Sequence, residues 1–248
     1  MITAIRSEFR KLLTARSTYF TLLVGLGITV LFAGFGTGVK SPPQAFNDPG
    51  LLADQSTSAI VFVGMIMAFI GLLLVSHEYR YNTITYTFTS SNNRLKVLLA
   101  KVFAVSVLAV LYSLLIMLFS PLCTIVGAHF SNHTMVTQNF PWVSLLWKCL
   151  FVGWGYAMYA LLLAAILRNQ VGAIISFLFV PMFGETILGL LLKENTKYLP
   201  FTALQGVVGQ QSMSTHLWSP AHNAAVVTVY VVVTLVVTGI LWQKRDAN

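Results

Sequence analysis

Glu185 is the one carboxylate in this sequence set well inside an apolar run, between Val171 and Leu192. An ionised side chain at the centre of such a run costs about 2.5 to 3.5 kcal/mol if the run lies in lipid. Glu185 is therefore expected to face protein or water. It would either line a translocation path and meet a cationic group there, or sit near a membrane interface in a segment that Pro181 and Gly184 loosen. His129 and His133 stand four residues apart, a spacing that on a helix would turn both imidazoles to one side as metal ligands, and His216 and His222 share a later polar stretch. Neither pair has a carboxylate or thiol at ligand spacing, so no metal site is expected. Cys123 and Cys149 make neither a CxxC pair nor a disulfide framework. His77-Glu78 is a single acid-base pair at the edge of an apolar run. No G-x-x-x-x-G-K-[ST] cradle occurs, so ATP hydrolysis by this chain is not expected.

The elements that must carry these groups are set by composition. Of 248 residues, 56% are hydrophobic and 9% charged, against about 25% charged in ordinary soluble domains. With a mean hydropathy of +0.78, a water-facing globule of this size could not hide its apolar side chains. The solvent is lipid. Measured against about 20 residues per helical crossing, six apolar runs qualify: 19–39, 60–76, 97–126, 142–167, 171–192 and 221–242. The expected fold is an all-α polytopic membrane protein, one transmembrane domain over residues 1–248 with both termini on one side. The net charge of +8 is scattered between the runs and forms no basic domain, so no nucleic-acid partner is expected.

Orientation follows from the Lys/Arg bias beside the spans. With the N-terminus cytoplasmic, eleven cations lie inside: Arg6, Arg10, Lys11, Arg16, Arg80, Arg94, Lys96, Lys101, Arg168, Lys244 and Arg245. Four lie outside: Lys40, Lys148, Lys193 and Lys197. Residues 1–16 are too charged for a signal-peptide core. On a helix they gather Ile2, Ile5, Phe9, Leu12 and Leu13 on one face, with Arg6 and Arg10 opposite, which reads as a helix lying on anionic headgroups. Of the outer loops, 193–220 is the longest, and its apolar stretch Leu199 to Val208 is expected to return to the membrane as a re-entrant or interfacial helix. The inner loop 77–96 alternates apolar and Thr residues from Ile84 to Thr89, a strand pattern. A lone strand would lack a ladder partner, and Tyr81, Ile84 and Phe88 share a helical face, so a short amphipathic helix is expected there. Gly34 and Gly38 form a G-x-x-x-G spacing where helices can approach closely.

The run Glu78-Tyr79-Arg80-Tyr81-Asn82-Thr83-Ile84, with Ser91-Asn92-Asn93-Arg94 and Lys101 after it, resembles the first cytoplasmic loop of ABC-2-type transporter permeases. That family's pattern is close to Glu, Arg, Gly-Thr, then Pro-x-x-Arg and a Lys. Here Asn82 replaces the usual Gly, and no Pro precedes Arg94. The opening Ser7-Glu8-Phe9-Arg10-Lys11-Leu12 is similar to the family's N-terminal elbow helix. The resemblance implies an elbow helix using Ile5, Phe9, Arg10, Lys11 and Leu12. It also implies a coupling helix that docks into a cytoplasmic ATP-binding cassette subunit, with Ile84, Tyr86 and Phe88 as anchors and Glu78, Arg80 and Arg94 as orienting charges. ATP and Mg would sit on that partner, and this chain would bind no cofactor. A second permease copy, or an unlike one, would complete the path, meeting the chain near Gly34 and Gly38. The implied activity is export of an amphipathic or hydrophobic substrate (a drug, a peptide antibiotic or a lipid-like compound) across the plasma membrane. An intramembrane lipid-modifying enzyme or a secondary carrier is the alternative. The first needs paired acidic or His/Glu groups at one depth, and the second needs repeats and several embedded charges.

Overall fold

Two asparagine side chains start long helices in this fold. Asn93 Oδ1 accepts from the amides of Leu95 and Lys96, and Asn169 Oδ1 from that of Gly172, satisfying donors that a helix start leaves bare. A computed structural model describes residues 2–48, 50–89, 93–137, 140–209 and 218–244. Its helices are α1 (Ile2–Thr14), α2 (Arg16–Val39), α3 (Leu51–Arg80), α4 (Ile84–Thr89), α5 (Arg94–Phe130), α6 (Trp142–Leu167), α7 (Gln170–Leu192), α8 (Pro200–Val208) and α9 (Pro220–Lys244). Among the described residues there is no strand, and the alternation at 84–89 is helical. Six helices, α2, α3, α5, α6, α7 and α9, are long and apolar enough to cross a membrane.

Each expected span is present, and several run past their apolar core. α3 begins at Leu51, inside the stretch expected as a polar loop, and α5 is 37 residues long, roughly 55 Å at 1.5 Å per residue. That exceeds a hydrocarbon core of about 30 Å, so the polar first turns of α5 project beyond it. The opening helix stops earlier than expected: Ala15 is extended and divides α1 from α2. The last ten residues of α2 widen into π turns, as does the segment around Pro181 in α7, where proline has no amide hydrogen to give.

The core lies between α3 and α6. Close approach is possible because a Cβ on Gly71 would come within 2.6 Å of the Ala157 carbonyl oxygen. α5 lies against α3 and α6 on one side and α2 on the other. α2, α7 and α9 are the least buried spans and present apolar side chains outward, as lipid-facing helices do. The chain order places α1, α4, the end of α3, the start of α5, the α6–α7 turn and the end of α9 at one end of the bundle. That end holds ten described Lys and Arg residues against four at the other, and Arg245 lies outside the described residues.

α8 reaches into the bundle from the opposite end. Its Phe201 packs on Tyr159 (ring centroids 5.5 Å) and Phe177 (5.7 Å), and its Leu204 on Gly155, near the midpoint of α6. The stretch 210–217 after it, with His216, lies outside the described residues.

Candidate coupling site

The basic end is organised around four charges. Glu8 on α1, Glu78 on α3 and Lys101 on α5 are buried, and Lys11 on α1 is half-buried. Lys101 Nζ lies 2.9 Å from Glu8 Oε2 and 2.8 Å from Glu78 Oε1. Lys11 Nζ lies 2.7 Å from Glu8 Oε1 and 2.6 Å from Glu78 Oε1. Two cations and two anions balance, which is what burial demands, since an unpaired ion out of water costs several kcal/mol. Burial pulls the Lys11 ammonium downward in pKa, but the Glu78 and Glu8 carboxylates outweigh it, so its net displacement is upward. Lys11 also reaches Thr87 Oγ1 on α4 at 3.5 Å. One charge cluster therefore joins the opening helix, the end of the second span, the start of the third and the short helix between them.

The turn that delivers α4 uses the residue at which this sequence departs from the family pattern. Asn82 has φ of 54°, in the left-handed region that glycine enters freely and asparagine tolerates. The Thr83 amide donates to the Glu78 carbonyl and the Asn82 amide to that of Tyr79, which closes α3 with a Schellman pair. Asn82 can thus stand where Gly is usual because it supplies the same backbone.

A second contact holds the far end of α4. Phe88 meets Trp242 edge to face (5.3 Å), the Arg94 guanidinium lies 5.3 Å over the Phe88 ring, and Arg94 donates to the Trp242 carbonyl at 3.1 Å. Trp242 is fully buried and donates from Nε1 to the Ala165 carbonyl.

These placements revise the expected roles. Ile84 is buried and Phe88 is taken up by Trp242, so of the three expected anchors only Tyr86, 76% exposed, lies largely at the surface, with Tyr81 beside the turn. Glu78, expected to face a partner, is an interior ion-pair residue. Arg80 turns from α4 and donates to Gln170 at 3.2 Å. On α1, Leu12 is buried and Ile5 and Phe9 are half-buried, with Phe9 against Phe103, whereas Arg10, Ile2 and Leu13 are exposed. Charged Glu8 lies at the centre of the packed face; an apolar stripe search passes over it, and Lys101 within an apolar span was the signal that a buried carboxylate must answer it.

The remaining candidates lie elsewhere. Glu185 is buried, and its carboxylate accepts from the amides of Phe201 (2.8 Å) and Thr202 (2.7 Å) and from the Thr202 hydroxyl (2.8 Å). It thus caps the start of α8, where the Phe201 and Thr202 amides have no carbonyl in a preceding turn to bond. Gly34 and Gly38, expected at a contact with a second chain, are buried against α5 of their own chain, where a Cβ on Gly38 would meet the Thr124 carbonyl oxygen at 2.6 Å. His129 and His133 do not share a helical face, because α5 ends at Phe130 and His133 stacks on Phe46. Among the described residues no three His, Cys, Asp or Glu side chains gather as a metal site.

No curated protein matches this chain. A family described as ABC-2 family transporter protein matches residues 4–193, from the opening helix through the fifth span. The matched stretch holds the whole four-charge cluster and α4, and it exceeds half of the sequence; the chain belongs to the ABC-2 family of transporter proteins.

Proposed function

We propose that this chain is the permease subunit of an exporter driven by a separate ATP-binding cassette subunit, and is not itself an enzyme. Two such chains, alike or unlike, enclose the path for an amphipathic or hydrophobic substrate. The chain lies in the plasma membrane with its basic end and both termini in the cytoplasm, an orientation that the Lys/Arg bias supports. ATP and Mg belong to the partner.

The observation that carries this reading is that α4 is fastened to three other elements. It contacts Lys11 of α1 through Thr87, Trp242 of α9 through Phe88, and packs against α5 beside the charge cluster that also holds α3. A push on the exposed Tyr81 and Tyr86 surface is transmitted to the spans because the buried pairs resist relative sliding. A loosely tethered loop would absorb the same push.

The test is co-purification of the chain with an ATP-binding cassette subunit and measurement of that subunit's ATPase rate in lipid. The full chain should co-elute and raise the rate. Tyr86→Asp should insert and remain monodisperse but lose the stimulation. Equal stimulation by Tyr86→Asp, or no co-elution of the full chain with any cassette subunit encoded beside it, would overturn the proposal.

A further inference from the structure

Beside α4, the basic end opens a pocket of about 460 Å³, lined by Tyr79, Arg80, Arg168, Gln170, Val171 and Ile174. Arginines from two separate elements meet there. Arg80 ends α3 and is exposed, and no carboxylate pairs with it among the described residues. Arg168 lies in the α6–α7 turn with φ of 54°, its guanidinium 5.9 Å over the Tyr79 ring. The Tyr79 hydroxyl is buried with no hydrogen-bond partner among the described residues. The pocket also faces the positive end of the α7 dipole. Its chemistry is that of a receptor for a phosphate-bearing anion.

The walls decide which anion. Below the arginines the pocket passes to Val171 and Ile174, and Val171 (64% exposed), Ile175 (51%) and Leu178 (40%) continue as one outward stripe along α7. A site that is cationic at the rim and apolar along the adjoining helix matches an anionic amphiphile. Basic pockets between transmembrane helices on the cytoplasmic side take acidic lipid headgroups.

We infer that Arg80 and Arg168 form a binding site for the headgroup of an anionic phospholipid, whose acyl chain lies along Val171, Ile175 and Leu178. A soluble phosphate ester shares the headgroup chemistry but leaves the stripe unused, and the two sources separate by experiment.

The full chain, purified in detergent, is titrated by native mass spectrometry with dioleoyl phosphatidylglycerol, dioleoyl phosphatidylcholine and glycerol 3-phosphate. At about fivefold in affinity per arginine, the unmodified chain should prefer phosphatidylglycerol over phosphatidylcholine by about twenty-fivefold. Arg80→Gln, at an exposed position, should lose about fivefold of that preference. Arg80→Gln with Arg168→Asn, in which Asn tolerates the left-handed backbone, should abolish it. Lys40→Gln, at an exposed position at the opposite end of the bundle, should leave it intact. Equal binding of the two lipids, a preference undiminished in Arg80→Gln or retained in the double variant, or displacement of phosphatidylglycerol by equimolar glycerol 3-phosphate would each overturn the assignment.

Discussion

Lys101 and Glu8 stand 93 positions apart in sequence, yet their charged atoms lie 2.9 Å apart, both buried. This pair fixes α1 to the third span, α5. Because both groups are out of water, each depends on the other far more than an exposed pair would.

Removing one partner should therefore be severe. Lys101→Met strands Glu8 and Glu78 with Lys11 as their common cation, and is expected to cost about 3 to 5 kcal/mol. The double substitution Glu8→Gln with Lys101→Met leaves the Glu78 and Lys11 pair neutral and should recover most of that loss. The monodisperse fraction after graded heating reads both. Additive losses in the double variant would mean that the two residues do not interact.

Lys11 gives the cluster a pH signature. Its folded pKa is raised above its ordinary 10.5, so it binds its proton more tightly in the folded chain. Its contribution is then fully present below about pH 10.5 and is lost as pH rises through the higher folded value. Heat stability of the purified chain should be flat from pH 7 to 9 and fall as the pH rises above about 10.5. Lys11→Met should be less stable at neutral pH and lose part of the alkaline fall. An identical alkaline profile in that variant would remove Lys11 from the account.

Glu185 is expected to act through α8. Glu185→Ala leaves the amides of Phe201 and Thr202 without their acceptor, at a cost of about 1 to 3 kcal/mol. Glu185→Gln keeps one acceptor oxygen and should retain most of the protection. Amide hydrogen exchange at 201 and 202 distinguishes the three forms. If Gln exchanges as fast as Ala while transport fails in both, the negative charge itself, facing a cationic group on the path, is what matters.

The α3–α4 turn makes a finer test. Asn82→Gly should be neutral to within a few tenths of a kcal/mol, whereas Asn82→Val forces a β-branched residue into the left-handed region at about 1 to 2 kcal/mol. Thermal stability and cassette-subunit ATPase stimulation should fall together in Asn82→Val. Unchanged stimulation would mean that the placement of α4 is not critical.

The spans were legible in the sequence because hydropathy is a local sum, and 142–167 is found at the expected bounds. The helical course of 84–89 was legible by elimination, since a strand there had nothing to pair with. The inward turn of Phe88 was not, because it depends on Trp242, some 150 residues away, and pattern within a segment carries no information about a distant partner. Glu8 was hidden for a similar reason: on a helical wheel a buried ion-pair carboxylate looks like a solvated one. The glycines show the reverse case. Their spacing correctly marked a close helix contact, but spacing cannot say whether the second helix belongs to the same chain, and α5 supplies it here.

The central claim is that the outward face of α4 is where a cytoplasmic motor engages this chain. Its most direct measurement places a photoreactive cross-linker on Tyr86→Cys in whole membranes containing the cassette subunit. The account expects cross-linking to that subunit, and labelling of the same cysteine by a membrane-impermeant maleimide only after the cells are opened. Labelling in intact cells, or cross-links confined to this chain and lipid, would contradict it.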